Sequence, residues 1–210
     1  VEEVNVFDTL DAHKDEYIYS RTDHHWAPLG AYYAAKTFAE QLDLPFTDIS
    51  EYTEKSEEGY VGTLYSFTEK AVLKNNPDTF IWHVPPTIDD IKTEYYTQDY
   101  KLDYEGELLP QACGSSLYMT MIGGDAHVVK ITTPVKNGRH LVVIKDSYGN
   151  ALAPYLTSSF ETITFVDMRY FELNIIDFIE EQGMTDVLFA MNTFSATGPN
   201  MEYINELTLQ

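Results

Sequence analysis

The residues of this chain with the most chemical potential are a histidine, a serine and two carboxylates placed beside turns. Asp23 and His25 stand two apart in Thr22-Asp23-His24-His25-Trp26-Ala27-Pro28. In an extended loop such residues point to one side, so the carboxylate can fix the imidazole's tautomer and stabilise its cationic form, with His24 pointing away. Ser147 follows Asp146 where an aliphatic run ends and a helix begins, which exposes its hydroxyl and sets its N–H at a helix start. Two readings of that pair stand side by side: a nucleophile with His25 as its base, and an Asp-Ser helix cap. Paired histidines also admit a metal reading. A metal site needs a third ligand, and His13, His83, His127 and His140 show no HExxH-like spacing.

These residues need elements to carry them. Val4-Asn5-Val6-Phe7 alternates and predicts an opening strand. Leu29, Tyr32, Ala35, Phe38, Ala39 and Leu42 recur at helical spacing and Pro28 suits a first turn, so a helix over Leu29 to Leu42 receives the Asp23/His25 loop. Leu117 to Ile122, Val128 to Thr132 and Leu141 to Ile144 read as strands. A helix over Ala151 to Leu156, a strand over Thr162 to Val166, a helix over Leu173 to Glu181 ended by Gly183, and a strand over Val187 to Met191 then give a βαβαβ pattern. Near-continuous apolar strands joined by short helices predict a parallel sheet covered on both faces, with function at its carboxyl ends. Asp146-Ser147, Asp167-Met168-Arg169 and Asn192 stand there. From Pro45 to Pro110, prolines break short apolar runs, and Tyr52, Tyr60, Tyr65, Tyr95, Tyr96, Tyr100 and Tyr104 crowd an acidic background. Residues 45–112 therefore read as an insertion or cap within one domain over 1–210, its surface either solvated loops or ligand-contacting.

Composition closes off whole classes of function. Thirteen Lys and Arg against 34 Asp and Glu give a net charge of -21 in 210 residues, which repels phosphate backbones and anionic lipids and excludes nucleic acid as a partner. No apolar run approaches the roughly 20 residues of a membrane span. Cys113 is alone, so disulfide frameworks and thiolate zinc sites fall away. Val1 is not an initiator methionine, and a removed upstream segment is expected. Of the few basic residues, Arg21, Lys145 and Arg169 fall beside the candidate residues. They make either a locally positive pocket or pairs with carboxylates such as Asp146 and Asp167.

Tyr19-Ser20-Arg21-Thr22-Asp23-His24-His25-Trp26 followed by Gly30-Ala31-Tyr32-Tyr33, with Lys145-Asp146-Ser147-Tyr148-Gly149-Asn150 and Val166-Asp167-Met168-Arg169-Tyr170-Phe171, resembles the bacterial DHHW protein family over essentially the whole chain. Gly62-Thr63-Leu64-Tyr65 and Ile122-Gly123-Gly124-Asp125 fit the same pattern. That family is similar in turn to the SGNH-hydrolase-like proteins of bacterial alginate O-acetylation, which carry Asp-x-His-Trp upstream of a nucleophilic serine. The resemblance implies a three-layer α/β domain of SGNH type with a central parallel sheet, permuted so that the Asp-x-His loop precedes the serine. It implies Ser147 as nucleophile, His25 as general base and Asp23 as the carboxylate that orients it. Asn192 falls where the SGNH asparagine binds the oxyanion, and Arg169 stands near the missing glycine of the second SGNH block. With Tyr148 they form the oxyanion or substrate-binding set. Lys145 departs from the usual Gly-Asp-Ser.

The implied function is that of an extracytoplasmic serine O-acetyltransferase or acetylesterase acting on a cell-surface or secreted polysaccharide. No cofactor or metal is implied, and a membrane-bound O-acyltransferase supplying acyl groups is the implied partner. Tyr95, Tyr96 and Tyr100 would stack on sugar rings and exclude water. A non-catalytic glycan-binding or scaffold protein on the same fold is the alternative. An intracellular thioesterase or lipase is weaker, since it would need an apolar acyl channel.

Overall fold

The β-branched runs of the C-terminal half pair into a sheet, because strands apolar on both faces must be covered on both. The computed structural model describes residues 2–209. Its elements run α1 (Phe7–Ala12), α2 (Pro28–Gln41), β1 (Thr53–Tyr60), α3 (Thr63–Thr68), α4 (Ala71–Lys74), β2 (Asp78–Val84), β3 (Lys92–Tyr96), β4 (Leu102–Gly106), β5 (Val128–Thr132), β6 (His140–Lys145), α5 (Ala153–Leu156), β7 (Thr162–Asp167), α6 (Ile175–Glu181), β8 (Asp186–Ala190), α7 (Thr193–Thr197) and α8 (Met201–Glu206). A six-stranded sheet has the order β4-β3-β5-β7-β6-β8, and β1 and β2 form a separate antiparallel ribbon.

The central sheet is mixed rather than wholly parallel. β7, β6 and β8 run parallel, while β3, β4 and β5 join antiparallel. The physical reason is connection length: residues 133–139 between β5 and β6, and 97–101 between β3 and β4, are too few for a crossover and reverse the chain. Segment 45–112 thus supplies both the ribbon and two strands of the main sheet. Alternate residues of β6 and β7 enter two cores. Leu141, Val143, Ile163 and Phe165 face Ala31, Ala35 and Phe38 of α2, while Val142, Ile144 and Val166 face Ile175 and Phe178 of α6. Three layers result.

Three local expectations are corrected. Val4 and Val6 lie in no strand and rest against the α2 core, ahead of helix α1, because four alternating residues find no partner strand. Leu117 to Ile122 is no strand either: a 3-10 helix covers Gly114–Thr120, and Ile122, Gly123 and Gly124 all have positive φ, which ends any extended path. An apolar run of this length carries no periodicity that separates strand from buried turn. The aromatic cap is also spent on packing. Tyr95 is buried and stacks on Tyr104 at 4.6 Å, and Tyr96 stacks on Tyr100, which leans on Phe178 at 4.7 Å.

Candidate active site

The loop before α2 is clamped by the ribbon. Asp78, buried on β2, accepts from the Thr22 N–H at 2.8 Å and hydroxyl at 2.7 Å through Oδ2, and from Arg21 Nε at 2.8 Å through Oδ1. Thr22 Oγ1 accepts from the Gly62 N–H at 3.1 Å, and its carbonyl accepts from Leu64 N–H at 3.0 Å. Residues 60–64 are thereby drawn onto Asp23. The Ala27 N–H donates to Ile18 O at 3.0 Å, which anchors the loop's other end where α2 begins at Pro28.

Within that clamp the structure brings Asp23, His25 and Ser147 into one hydrogen-bonded line. His25 Nδ1 lies 2.7 Å from Asp23 Oδ1, and His25 Nε2 lies 2.7 Å from Ser147 Oγ, with Asp23 and His25 both buried. A proton on Nδ1, facing the carboxylate, leaves Nε2 to accept from the serine hydroxyl. Asp23 Oδ1 also accepts from the His25 N–H at 3.0 Å and Thr63 Oγ1 at 2.9 Å, and Oδ2 accepts from the Tyr60 hydroxyl. Burial works to raise the Asp23 pKa, but the bonds and charge of His25, with Tyr60, overcome it and hold the carboxyl well below the usual range. The same burial and the Asp23 charge push the Tyr60 hydroxyl far up, so it remains a donor.

Tyr118 is the residue that sequence reasoning missed. Its ring stacks on the His25 imidazole at 3.8 Å and 9°, and its hydroxyl donates to Ser147 O at 2.9 Å. Tyr60 and Thr63 likewise carry no local signal of a role, although Gly62-Thr63 belongs to the family-like pattern of the sequence. His24 does not point away: its ring lies 3.8 Å from that of His25 and its Nδ1 meets Thr63 Oγ1, because the loop turns rather than extends. Burial first, then the neighbouring His25, lowers its pKa. Among the described residues, Asp23, His24 and His25 are the one group whose donor atoms gather closely enough to hold a metal. Asp23's oxygens and His25 Nδ1 are already engaged with each other and with Tyr60 and Thr63, which fits a hydrogen-bonded line instead.

At the end of β6 the cap reading of Asp146-Ser147 falls to Asp146 alone and leaves the Ser147 hydroxyl free of it. Asp146 is the cap: Oδ1 accepts from the Tyr148 N–H at 2.8 Å, and Oδ2 accepts from Ser195 Oγ at 2.6 Å, the Asn192 N–H at 3.1 Å and the Asn192 side-chain amide. Ser147 is left to face His25. Asn192 caps α7 through Oδ1 to the Ser195 N–H at 3.0 Å, so its side chain is directed to Asp146. Tyr148 lines the site beside Trp26, whose indole N–H donates to Tyr148 O at 3.0 Å; its own hydroxyl donates to His24 O, and burial pushes its pKa up to about 12. Arg169 donates to Asp167 at 2.8 and 2.7 Å and to Asp125 at 2.8 Å, while Lys145, wholly buried, donates to Asp167 at 2.8 Å. With Arg21 on Asp78, all three cations near the site are paired, and the locally positive pocket is not what the structure has.

The chain has a three-layer α/β fold of SGNH-like architecture, in which a serine just beyond β6 faces an imidazole and a carboxylate from the loop before α2. It belongs to the DHHW protein family, whose pattern it matches over residues 1–166. It is similar to a DHHW family protein from Eubacterium siraeum, of known crystal structure, with 48% identity and a TM-score of 0.94 over 98% of this chain and 69% of that one. It is also similar in fold to Bacillus cereus PatB1 carrying a sulfonyl adduct, with 16% identity and a TM-score of 0.75 over 97% of this chain and 71% of that one. PatB1 without the adduct gives a TM-score of 0.68 at 16% identity, over 92% and 69%. No curated protein matches the sequence.

Proposed function

We propose that this protein is a serine acyl-transfer enzyme that works outside the cytoplasm, adding or removing acetyl groups on a cell-surface or secreted polysaccharide. The observation that carries the reading is the line Asp23–His25–Ser147, with 2.7 Å at each join. His25 accepts the Ser147 proton as Oγ attacks an ester carbonyl, and Asp23 stays ionised to stabilise the imidazolium. The Ser147 N–H, at the first position of the 3-10 turn Ser147–Leu152, would donate to the oxyanion, with Tyr148 and Arg169 as substrate-binding residues of the proposal and the Asn192 amide reaching the oxyanion only by leaving Asp146. Collapse returns the proton from His25 to the leaving alkoxide and leaves an acyl-serine. Water then makes the protein an esterase, and a sugar hydroxyl makes it a transferase fed by a membrane-bound acyl donor.

A non-catalytic glycan-binding role has less support, since such a role needs no imidazole held between Asp23 and Ser147. The sulfonyl adduct on PatB1 supports a choice of probe. Acetyl release from para-nitrophenyl acetate and an acetylated oligosaccharide is to be compared for wild type, Ser147→Ala and His25→Ala, with each variant expected to lose on the order of 10⁴-fold in turnover. Phenylmethylsulfonyl fluoride should add to Ser147, as read by peptide mass. Unchanged turnover in both variants would overturn the reading, and an added oligosaccharide acceptor separates transfer from hydrolysis.

A further inference from the structure

The carboxyl ends of the strands also bear on which glycan is used. Lys145 of β6 pairs in register with Asp167 of β7, so Ser147 and Arg169 each lie two residues beyond neighbouring strand ends, which sit about 4.8 Å apart in a sheet. Residues 124–127 cross the same end. Gly124 O accepts from Asn150 at 2.9 Å within the turn that carries Ser147, Asp125 accepts from Arg169, and His127 O accepts from the Asp167 N–H at 2.9 Å. Outward from Arg169 opens a cleft of about 320 Å³, walled by Gln98, His127, Tyr170, Tyr203 and Glu206. Tyr170 and Tyr203 keep 40% and 37% of their surface exposed there. Aromatic edges beside an amide, an imidazole and a carboxylate suit sugar hydroxyls and C–H faces.

Charge then sets the class of sugar. Arg169 and Lys145 are neutralised by Asp167 and Asp125, while Asp146, Glu172 and Glu206 make no ion pair among the described residues. The chain as a whole carries -21. Among the described residues a sugar bearing a carboxylate meets no unpaired lysine or arginine in this cleft, and the field around it repels an anion.

We propose that this cleft is the glycan subsite and that it takes glycans without carboxylates, uncharged or amino-bearing, and rejects polyuronates. The inference deepens the acyl-transfer reading and rests on it for the chemistry, but not for the binding. Its test therefore uses binding of the Ser147→Ala protein to xylo-oligosaccharides, glucosamine oligosaccharides and oligouronates, by calorimetry at low and high salt. Xylo-oligosaccharides should bind with no salt dependence, and glucosamine oligosaccharides should weaken as salt rises. Oligouronates should bind at least about 10-fold more weakly at low salt and gain affinity as salt screens the repulsion. Tyr203→Ala should weaken xylo-oligosaccharide binding by up to about 10-fold, the scale of one aromatic contact, and Glu172→Lys with Glu206→Lys should strengthen oligouronate binding.

Oligouronates that bind as tightly as the others, or that weaken as salt rises, overturn the proposal. So do indifference to both sets of substitutions and failure to bind any of the three. Turnover of para-nitrophenyl acetate by the wild type is read separately. Its loss with the binding preference intact would remove the enzyme and leave the subsite.

Discussion

A methyl group at Gly62 probes the Asp23–His25–Ser147 line without altering any member of it. A Cβ there would lie 2.3 Å from Asp23 Oδ2, 2.5 Å from its Cβ and 2.7 Å from its Cγ. Favourable carbon contacts begin near 3.5 Å, so about 1 Å of displacement is needed. The backbone of Gly62 is extended, with φ -88 and ψ -160, and accepts alanine, so the strain falls on Asp23. That side chain has no free direction: His25 and Thr63 hold Oδ1, and Tyr60 holds Oδ2. Misplacing a positioned group by about 1 Å costs about 10²-fold in rate, and losing the carboxylate's hold on the imidazole costs about 10⁴-fold. Gly62→Ala is therefore expected to lower kcat on para-nitrophenyl acetate between those limits. The accompanying stability loss is about 1–3 kcal/mol, typical of overpacking. Steady-state kinetics paired with a circular-dichroism melt reads both quantities. A folded variant with turnover within about 3-fold of wild type, well short of the 10² limit, would refute the argument that Asp23 positions His25.

Tyr118→Phe keeps the stack on His25 and loses the bond to Ser147 O, worth about 1 kcal/mol and so less than about 10-fold in kcat; Tyr118→Leu loses both, should cost more and should shift the pH–rate profile, and equal behaviour of the two would remove the stack from the account. Asp167→Asn strands Lys145 in the core and should cost about 3–5 kcal/mol in urea unfolding, more than Lys145→Met, which leaves Asp167 with Arg169; the reverse order would contradict the pairing. Asp23, Asp78 and Asp167 all have pKa values lowered by their partners despite burial, so the native state binds fewer protons than the unfolded chain in acid. Their stabilisation is complete above about pH 5 and declines as pH falls through the unfolded value of about 3.9, so Tm should drop from pH 5 to pH 3, and a flat Tm would count against it. His24→Ala should cost less than about 10-fold, against about 10⁴ for His25→Ala, and matching losses would undo the assignment of the base.

What could be read in advance had partners fixed by a local rule. Ser147 lies at the end of a β-branched run, so the strand-end rule singled it out, while its meeting with Asp23 and His25, two apart in a loop before a helix, came from the family resemblance. β6, β7 and β8 were read for the same reason, since apolar runs separated by helix starts leave few other arrangements. Residues that escaped have partners set by register and by long-range packing. Tyr118 sat in an apolar run without periodicity, and nothing local tells that its ring meets an imidazole 93 positions earlier in the chain. Tyr96 and Tyr100 looked like a sugar platform because composition cannot distinguish a ring offered to ligand from one offered to Phe178. Lys145 looked like a lost glycine until β6 and β7 paired and set its ammonium on Asp167. That pairing commits Arg169 to the same carboxylate, and so three cations that the sequence gathers beside the serine, Arg21, Lys145 and Arg169, each end on an aspartate.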